Sequence, residues 1–424
     1  MRKTILLTTA LCLVSWGASA AETTMTWEDC VRTASRNNPD LVAAGETVVQ
    51  SRAAKALAGT NVYPQLSANA AAGESQSKKN GQKATHSDSY SYGVSGSLLL
   101  FDGLSASNAM RSAAQNLAAA SEAYRFSSAD IRLQLRTAFI NMLKAQSLIR
   151  VAQDIVHIRG DELKLISLRY KSGLEHKGAW LDTKVSMTQA VIDLKQAVRG
   201  LKLARRQLNQ AMGQKDDYNF RVSAGFDVKE AFSSQPDFAV IANNHPSVKQ
   251  AKAKERSADF SLKAVRGSYY PQVSLQGSAT KDGAQWPPED RGLGAQVVVS
   301  LPLLEGGSRQ AKVAQAESIL RQSTAQLSSV QNSVQLGLAQ AWEDFRQAVE
   351  AVRVAREALK ANEERSLIAE AQYSTGFISY DNLTIIQNNL VQSKKSWLNA
   401  RANALLTEAR WVSAKGETLE YANQ

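Results

Sequence analysis

The sequence predicts a mainly α-helical chain with a transmembrane β-barrel portion, built as two copies of one unit. Three observations predict it. Tyr63-Pro64-Gln65-Leu66-Ser67 returns as Tyr270-Pro271-Gln272-Val273-Ser274, displaced by 207 residues, and Tyr170-x-x-Gly173 returns as Tyr373-x-x-Gly376, displaced by 203. Four short segments alternate apolar and polar residues with a period of two. Two proline-free stretches of about 65 residues carry apolar residues at heptad spacing. The four-residue difference between the offsets falls between the two alternating segments of each copy, where a loop changes length freely.

The elements follow in order. Residues 1–20 read as a secretory signal: Arg2 and Lys3, an apolar run at 5–16, then Ala18-Ser19-Ala20 with cleavage near Ala20. Cys12 follows Thr9-Ala10-Leu11, a poor lipoprotein cleavage site, so no lipid anchor is expected. The mature chain keeps one cysteine, Cys30, which reads as a buried apolar residue on the first helix. Thr26-x-x-Asp29 opens that short helix as a capping box, and it ends near Asn37. A longer helix over 41–62 stops at Pro64, and its copy over 247–269 stops at Pro271.

Strands are expected at about 65–73, 90–101, 272–280 and 293–303. Each is apolar on one face and small or polar on the other, a pattern that suits lipid on one side and water on the other. Tyr90, Tyr92, Val94, Leu98 and Leu100 form the apolar side of the second strand, and Tyr63, Tyr90, Phe101, Tyr269 and Tyr270 are placed at strand ends, as an interfacial belt requires. Loops are expected at 74–89 and 281–292.

Long helices are then expected over 105–169 and 308–372, each turning at Gly173 or Gly376 into a returning helix over 178–212 or 381–415. One seam runs Met110, Leu117, Tyr124, Ile131, Ala138 and onward, with copies from Val313 to Ala355; a second runs Leu135, Met142, Ile149, matched by Leu338, Phe345, Val352. The short entry helix and the returning helix together nearly equal the long one in length, so they are expected to stack end to end beside it. The units are expected at 21–213 and 239–416, with an irregular linker at 214–238 forming an equatorial appendage around the middle of the helical part, and a tail at 417–424.

Four strands cannot close a barrel, and open sheet edges are not tolerated in lipid. Two copies give eight strands with a filled interior, whereas three give twelve strands and a lumen. A homotrimer embedded in outer-membrane lipid is therefore expected. The net charge of +11, or +9 without Arg2 and Lys3, is spread along helices and reads as solvated surface, with no nucleic-acid partner. His86, His157, His176 and His245 lack metal-ligand spacing, and no phosphate loop or nucleophile motif occurs. No enzyme and no cofactor are expected.

The Asn-Pro near the start, Tyr-Pro-Gln-Leu before a strand, Leu-Leu-Leu-Phe-Asp-Gly and Leu-Pro-Leu-Leu-Glu-Gly-Gly after one, and the Tyr-x-x-Gly tips together resemble the TolC family of outer-membrane efflux channels. The resemblance covers essentially the whole mature chain. It implies a trimeric channel of a tripartite efflux or type I secretion system, working with a periplasmic adaptor and an inner-membrane pump to export drugs, metals or proteins. By match to the family's tip, Tyr373, Gly376, Tyr380, Asp381 and Asn382 are the candidate aperture residues, with Tyr170, Gly173 and Asp182 on the first hairpin. The family's basic residue two positions after Gly376 is Ile378 here, and its later aspartate is Asn382, next to Asp381. Asp381 reads equally as a helix N-cap. The rival readings are a periplasmic adaptor, whose usual sequence holds one hairpin and soluble β-domains, and a structural coiled-coil protein of the envelope.

Overall fold

A computed structural model of the chain describes residues 23–77, 85–215, 218–228 and 235–419. The signal segment with Cys12 and the last residues of the tail lie outside the described residues. The first copy comprises β1 (Thr23–Met25), α1 (Trp27–Asn37), α2 (Pro39–Gly59), β2 (Gln65–Ser77), β3 (Thr85–Phe101), α3 (Ser105–Lys171) and α4 (Lys177–Met212). After β4 (Phe220–Val222), the second comprises α5 (Phe238–Asn244), α6 (Pro246–Gly267), β5 (Gln272–Gly283), β6 (Asp290–Ser300), α7 (Ser308–Thr375) and α8 (Tyr380–Ala414).

Local chemistry sets the helix ends. Thr26 and Asp29 form the capping box of α1, with each side chain accepting from the other's backbone. Asp102 accepts from the Ala106 amide at 2.7 Å and starts α3. Leu104, just before it, takes a left-handed φ of 66°, where the second copy has Gly307 at 83°. α3 and α7 hold 67 and 68 residues, so each extends about 100 Å.

α3 is the central column. α2 and α4 pack along it in succession, as do α6 and α8, whereas α7 packs mainly on α6, α8 and α5. Accordingly Ile131, Leu135, Ala138 and Met142 of the α3 seams are buried, while of their copies on α7 Leu338 is buried and Val334, Ala341 and Phe345 are half-buried. The short helices do stack end to end, and the Pro motifs are their joints. The Asn38 side chain accepts from the Asp40 and Leu41 amides and donates to the Ala211 carbonyl at the end of α4, at 3.0 Å. Beside it Gly213 has φ 69°, and a Cβ there would stand 2.2 Å from the Asn37 oxygen. In the second copy His245 caps α6 through Nδ1, and Gly416 has so little room that a Cβ would stand 2.5 Å from Pro246 Cδ.

The strands form one antiparallel sheet in the order β2-β3-β5-β6, leaving β2 and β6 as edges. They differ in extent from the sequence expectation. β2 runs on to Ser77, β3 begins at Thr85, β5 continues to Gly283 and β6 begins at Asp290, because polar residues near the loops still pair. The loop centre 78–84 lies outside the described residues, and β6 stops at Ser300, short of Pro302, whose missing N–H ends pairing. Tyr90 consequently lies inside β3, opposite Ala72 and Gly283, not at a strand end. A bulge between Leu99 and Phe101 pairs Phe101, not Leu100, with Val273.

Register assigns the two faces. Leu66, Ala68, Ala70, Tyr92, Val94, Leu98, Leu275, Ala279, Leu293, Ala295 and Val297 share one; Gln65, Ser67, Ser95, Ser97, Gln276, Ser278 and Gln296 share the other. The polar face is tied by cross-strand bonds such as Ser67 to Ser95 at 2.9 Å and Gln296 to Gln276 at 3.2 Å. The apolar face is bare: Leu66 is 78% exposed and Leu293 86%.

The linker expected to be irregular is partly ordered. β4 pairs in parallel with β1, which the sequence reading missed, and Phe220 and Val222 bury beneath it. The tail also packs: Leu419 is buried and its amide bonds Ser128, while Glu417 pairs with Arg132 at 3.1 Å. These segments wrap α3 midway along its length, over a core of Cys30, Val31, Leu135, Phe139, Leu208 and Met212. Burial, with Asp29 alongside, pushes the Cys30 thiol up to about 12, so it stays protonated as the apolar residue expected. Among the described residues, no helix is long and apolar enough to cross a membrane.

Candidate functional site at the helical tips

The two hairpins meet at the end farthest from the sheet. Gly173 (φ 71°) and Gly376 (φ 85°) turn the chain there, with the Leu174 and Phe377 amides bonding back to the Arg169 and Gln372 carbonyls. Nothing stands within 4 Å of a Cβ built on either glycine, so both turns face open space. Between them Ile166, Ala179, Ala369, Tyr373, Tyr380 and Leu383 form one buried cluster.

Polar groups fasten that cluster. The Tyr373 hydroxyl donates to Glu175 Oε2 at 2.5 Å, and Arg169 lies over the Tyr373 ring at 4.6 Å while donating to the Tyr373 carbonyl at 3.2 Å. Tyr380 shares a 3.1 Å hydroxyl bond with Thr183, whose own hydroxyl donates to the Ala179 carbonyl. Tyr170 stacks on Trp180, with centroids 5.5 Å apart and planes 10° apart. One layer up, buried Arg159 bonds Glu162 at 2.7 Å and Asn388 of α8 at 2.5 Å. Higher still Lys395 pairs with Asp193 at 3.0 Å; burial opposes that charge, yet Gln189 and Lys395 hold the carboxyl below its ordinary value.

The structure thus brings Tyr170, Tyr373 and Tyr380 into or against one cluster. Asp182, Asp381 and Asn382 stay exposed. Asp381 is not the helix cap: Ser379 fills that role, accepting from the Asn382 amide at 3.3 Å. The sequence reading missed Arg169, Glu175 and Thr183. Its available signal was asymmetry between the copies, since Arg169 and Glu175 stand where the second copy has Gln372 and Ile378. Among the described residues, no cluster of His, Cys, Asp and Glu could hold a metal ion.

Burial, together with the bond to Glu175, raises the Tyr373 phenol above its ordinary 10.0. The folded tip therefore keeps a proton that the unfolded chain releases. Its stabilisation is complete below pH 10 and is lost as pH rises beyond that. Tyr373→Phe removes a charge-assisted bond worth about 2 kcal/mol. Hydrogen exchange of tip amides is expected to quicken about thirtyfold, with the equatorial core unchanged.

Comparisons with known proteins agree with this architecture. The solved structure of CusC superposes with a TM-score of 0.84 at 17% identity, covering 91% of each chain. VceC from Vibrio cholerae gives 0.80 at 16% identity, covering 92% of this chain and 96% of that one. The MtrE outer membrane channel from Neisseria gonorrhoeae gives 0.78 at 17% identity, covering 92% and 89%. A comparison with curated protein sequences finds no match. The family described as outer membrane efflux protein matches residues 30–214 and 240–417. With both halves of the duplicated chain matched, this protein belongs to the outer membrane efflux protein family.

Proposed function

We propose that three copies close head to tail into a twelve-stranded outer-membrane barrel continued by a helical tunnel, and that this channel exports substrates handed over by an inner-membrane pump and its periplasmic adaptor. One observation carries the reading: repeat one makes a contact with repeat two that repeat two does not return. β3 pairs with β5 and α3 packs on α6, where Ser112 bonds Ser257 and Ser261 at 2.9 Å. Gly103 sits so close that a Cβ would stand 2.4 Å from the Gly267 oxygen. The copies of these groups, Gln315 and Gly306, face open space, and the β6 edge is unpaired. A next chain offering β2 and α2 completes the pattern, and a heterologous contact of this kind generates a ring when it closes.

In this reading residues 1–20 direct export and are removed near Ala20, and residues 21–213 and 239–416 are the two structural repeats. The described parts of the linker 214–238 and of the tail 417–424 belong to an equatorial belt. The exposed Asp182, Asp381 and Asn382 with the Gly173 and Gly376 turns form the tunnel's periplasmic rim and the adaptor's contact. The family is one of channels, so substrate passes through unchanged. Its identity, whether drug, metal or protein, is set by the pump.

Purified mature protein is expected to crosslink as a trimer and to conduct ions across planar bilayers. A water-soluble monomer with no bilayer affinity would overturn the reading. Gly173→Asp or Gly376→Asp meets no neighbouring atom, so the trimer should assemble while export falls through a disturbed adaptor contact. Normal export by both variants removes the tips from the docking role.

A further inference from the structure

We propose that the loop end of the apolar sheet face binds the phosphate of an anionic lipid headgroup, held by Lys281 and Arg291. The inference rests on the reading that this face meets lipid. Ala70, Tyr92, Lys281 and Arg291 are paired in one row across β2, β3, β5 and β6. Two cations are therefore direct cross-strand neighbours, about 5 Å apart at Cβ, an arrangement that destabilises a sheet unless an anion lies between them. Neither makes an ion pair with a described residue. Asp282 and Asp290, adjacent to them in the chain, project to the opposite face. The carboxylates on the same face, Glu74 and Asp88, stand opposite each other two rows nearer the loops on β2 and β3, where Glu74 bonds His86 at 3.2 Å.

The surroundings suit a lipid headgroup. A shallow groove of about 630 Å³ runs past Tyr92, Val94, Ala279, Lys281, Arg291 and Leu293. Trp286, 67% exposed, reaches from the β5–β6 turn to within 6.0 Å of the Tyr92 ring and 6.2 Å of Tyr90. Amphipathic rings of this kind mark a membrane–water boundary. Eight residues of β5 separate Val273 from Lys281, about 27 Å of strand or about 20 Å of height at an ordinary barrel tilt. Phe101 faces Val273 at the other end of the span. The cations thus stand within about 5 Å of the edge of an apolar band about 25 Å tall. There a charge on the lipid face costs little, and a guanidinium fork beside an ammonium suits a phosphate.

The test uses the purified full-length protein in detergent, with bisphosphorylated lipid A and its dephosphorylated form as probes and native mass spectrometry as readout. Wild type is expected to retain the phosphorylated lipid at least tenfold better. Lys281→Gln with Arg291→Gln should weaken that retention about thirtyfold. Lys252→Gln with Lys254→Gln on α6, also an exposed cation pair, should leave it unchanged, and the charge-conserving pair Lys281→Arg with Arg291→Lys should keep it. Equal retention of the two lipids, unchanged retention by the Gln pair, or displacement by millimolar inorganic phosphate overturns the proposal. Conductance of the Gln pair in planar bilayers separates the two readings. Persistent conductance leaves the channel standing whatever the lipid result, whereas a wild-type chain that never enters bilayers defeats both.

Discussion

Ala295→Arg is expected to abolish assembly in the membrane, whereas Ser278→Arg, on a neighbouring strand, is expected to assemble and narrow the pore. Ala295 pairs with Gly277 at the middle of the apolar face, and it is exposed there. An arginine on the lipid face near the bilayer midplane costs about 2–4 kcal/mol. Three copies multiply this to roughly 6–12 kcal/mol, comparable to the whole net stability of an ordinary domain. Ser278 pairs with Ser95 and Gly294 and lies on the polar face, where arginine reaches water. Membrane fractionation and single-channel recording read the two outcomes. If both variants assemble equally well, the assignment of lipid to the apolar face fails.

The second large effect concerns the joints between stacked helices. Gly213→Ala and Gly416→Ala each place a methyl group in a left-handed residue and against another segment. The first meets the Asn37 carbonyl at 2.2 Å and the second Pro246 Cδ at 2.5 Å. The backbone conformation costs about 1–2 kcal/mol and the overlap about 1–3 kcal/mol more, together roughly 2–5 kcal/mol. Gly173→Ala and Gly376→Ala, left-handed but in open space, should cost only the backbone part. Thermal unfolding of all four variants separates the pairs. Equal midpoints would mean that the short helices do not abut as described.

Much of the fold was legible because duplication and periodicity are carried by many residues at once. The turn glycines, the capping box of α1 and the two-residue alternation survive any single exception. The bulge at Leu99 and Phe101 was not legible, since an inserted residue leaves each flanking alternation intact and changes only which member faces its partner. The pairing of β1 with β4 escaped for a different reason. Three-residue strands about 200 residues apart carry no period, and only the tertiary approach of the two segments pairs them. At the tips Tyr373 and Tyr380 stood out through motif and copy. Arg169 and Thr183 on the helices and Glu175 in the turn between them did not, because ordinary polar residues become fasteners only when the second hairpin lies against them.

The serine and glutamine face of the sheet bears on what the proposed pore can discriminate. Its fixed charges within the paired strands are Asp282 and Asp290, side by side at the loop end. A bore walled by hydroxyls and amides offers no sign by which to sort its traffic. Width alone sets admission along that stretch, and a ring of six carboxylates at the mouth would lend a mild welcome to cations. Chemical choosiness beyond that welcome would then reside with whatever machine loads the conduit.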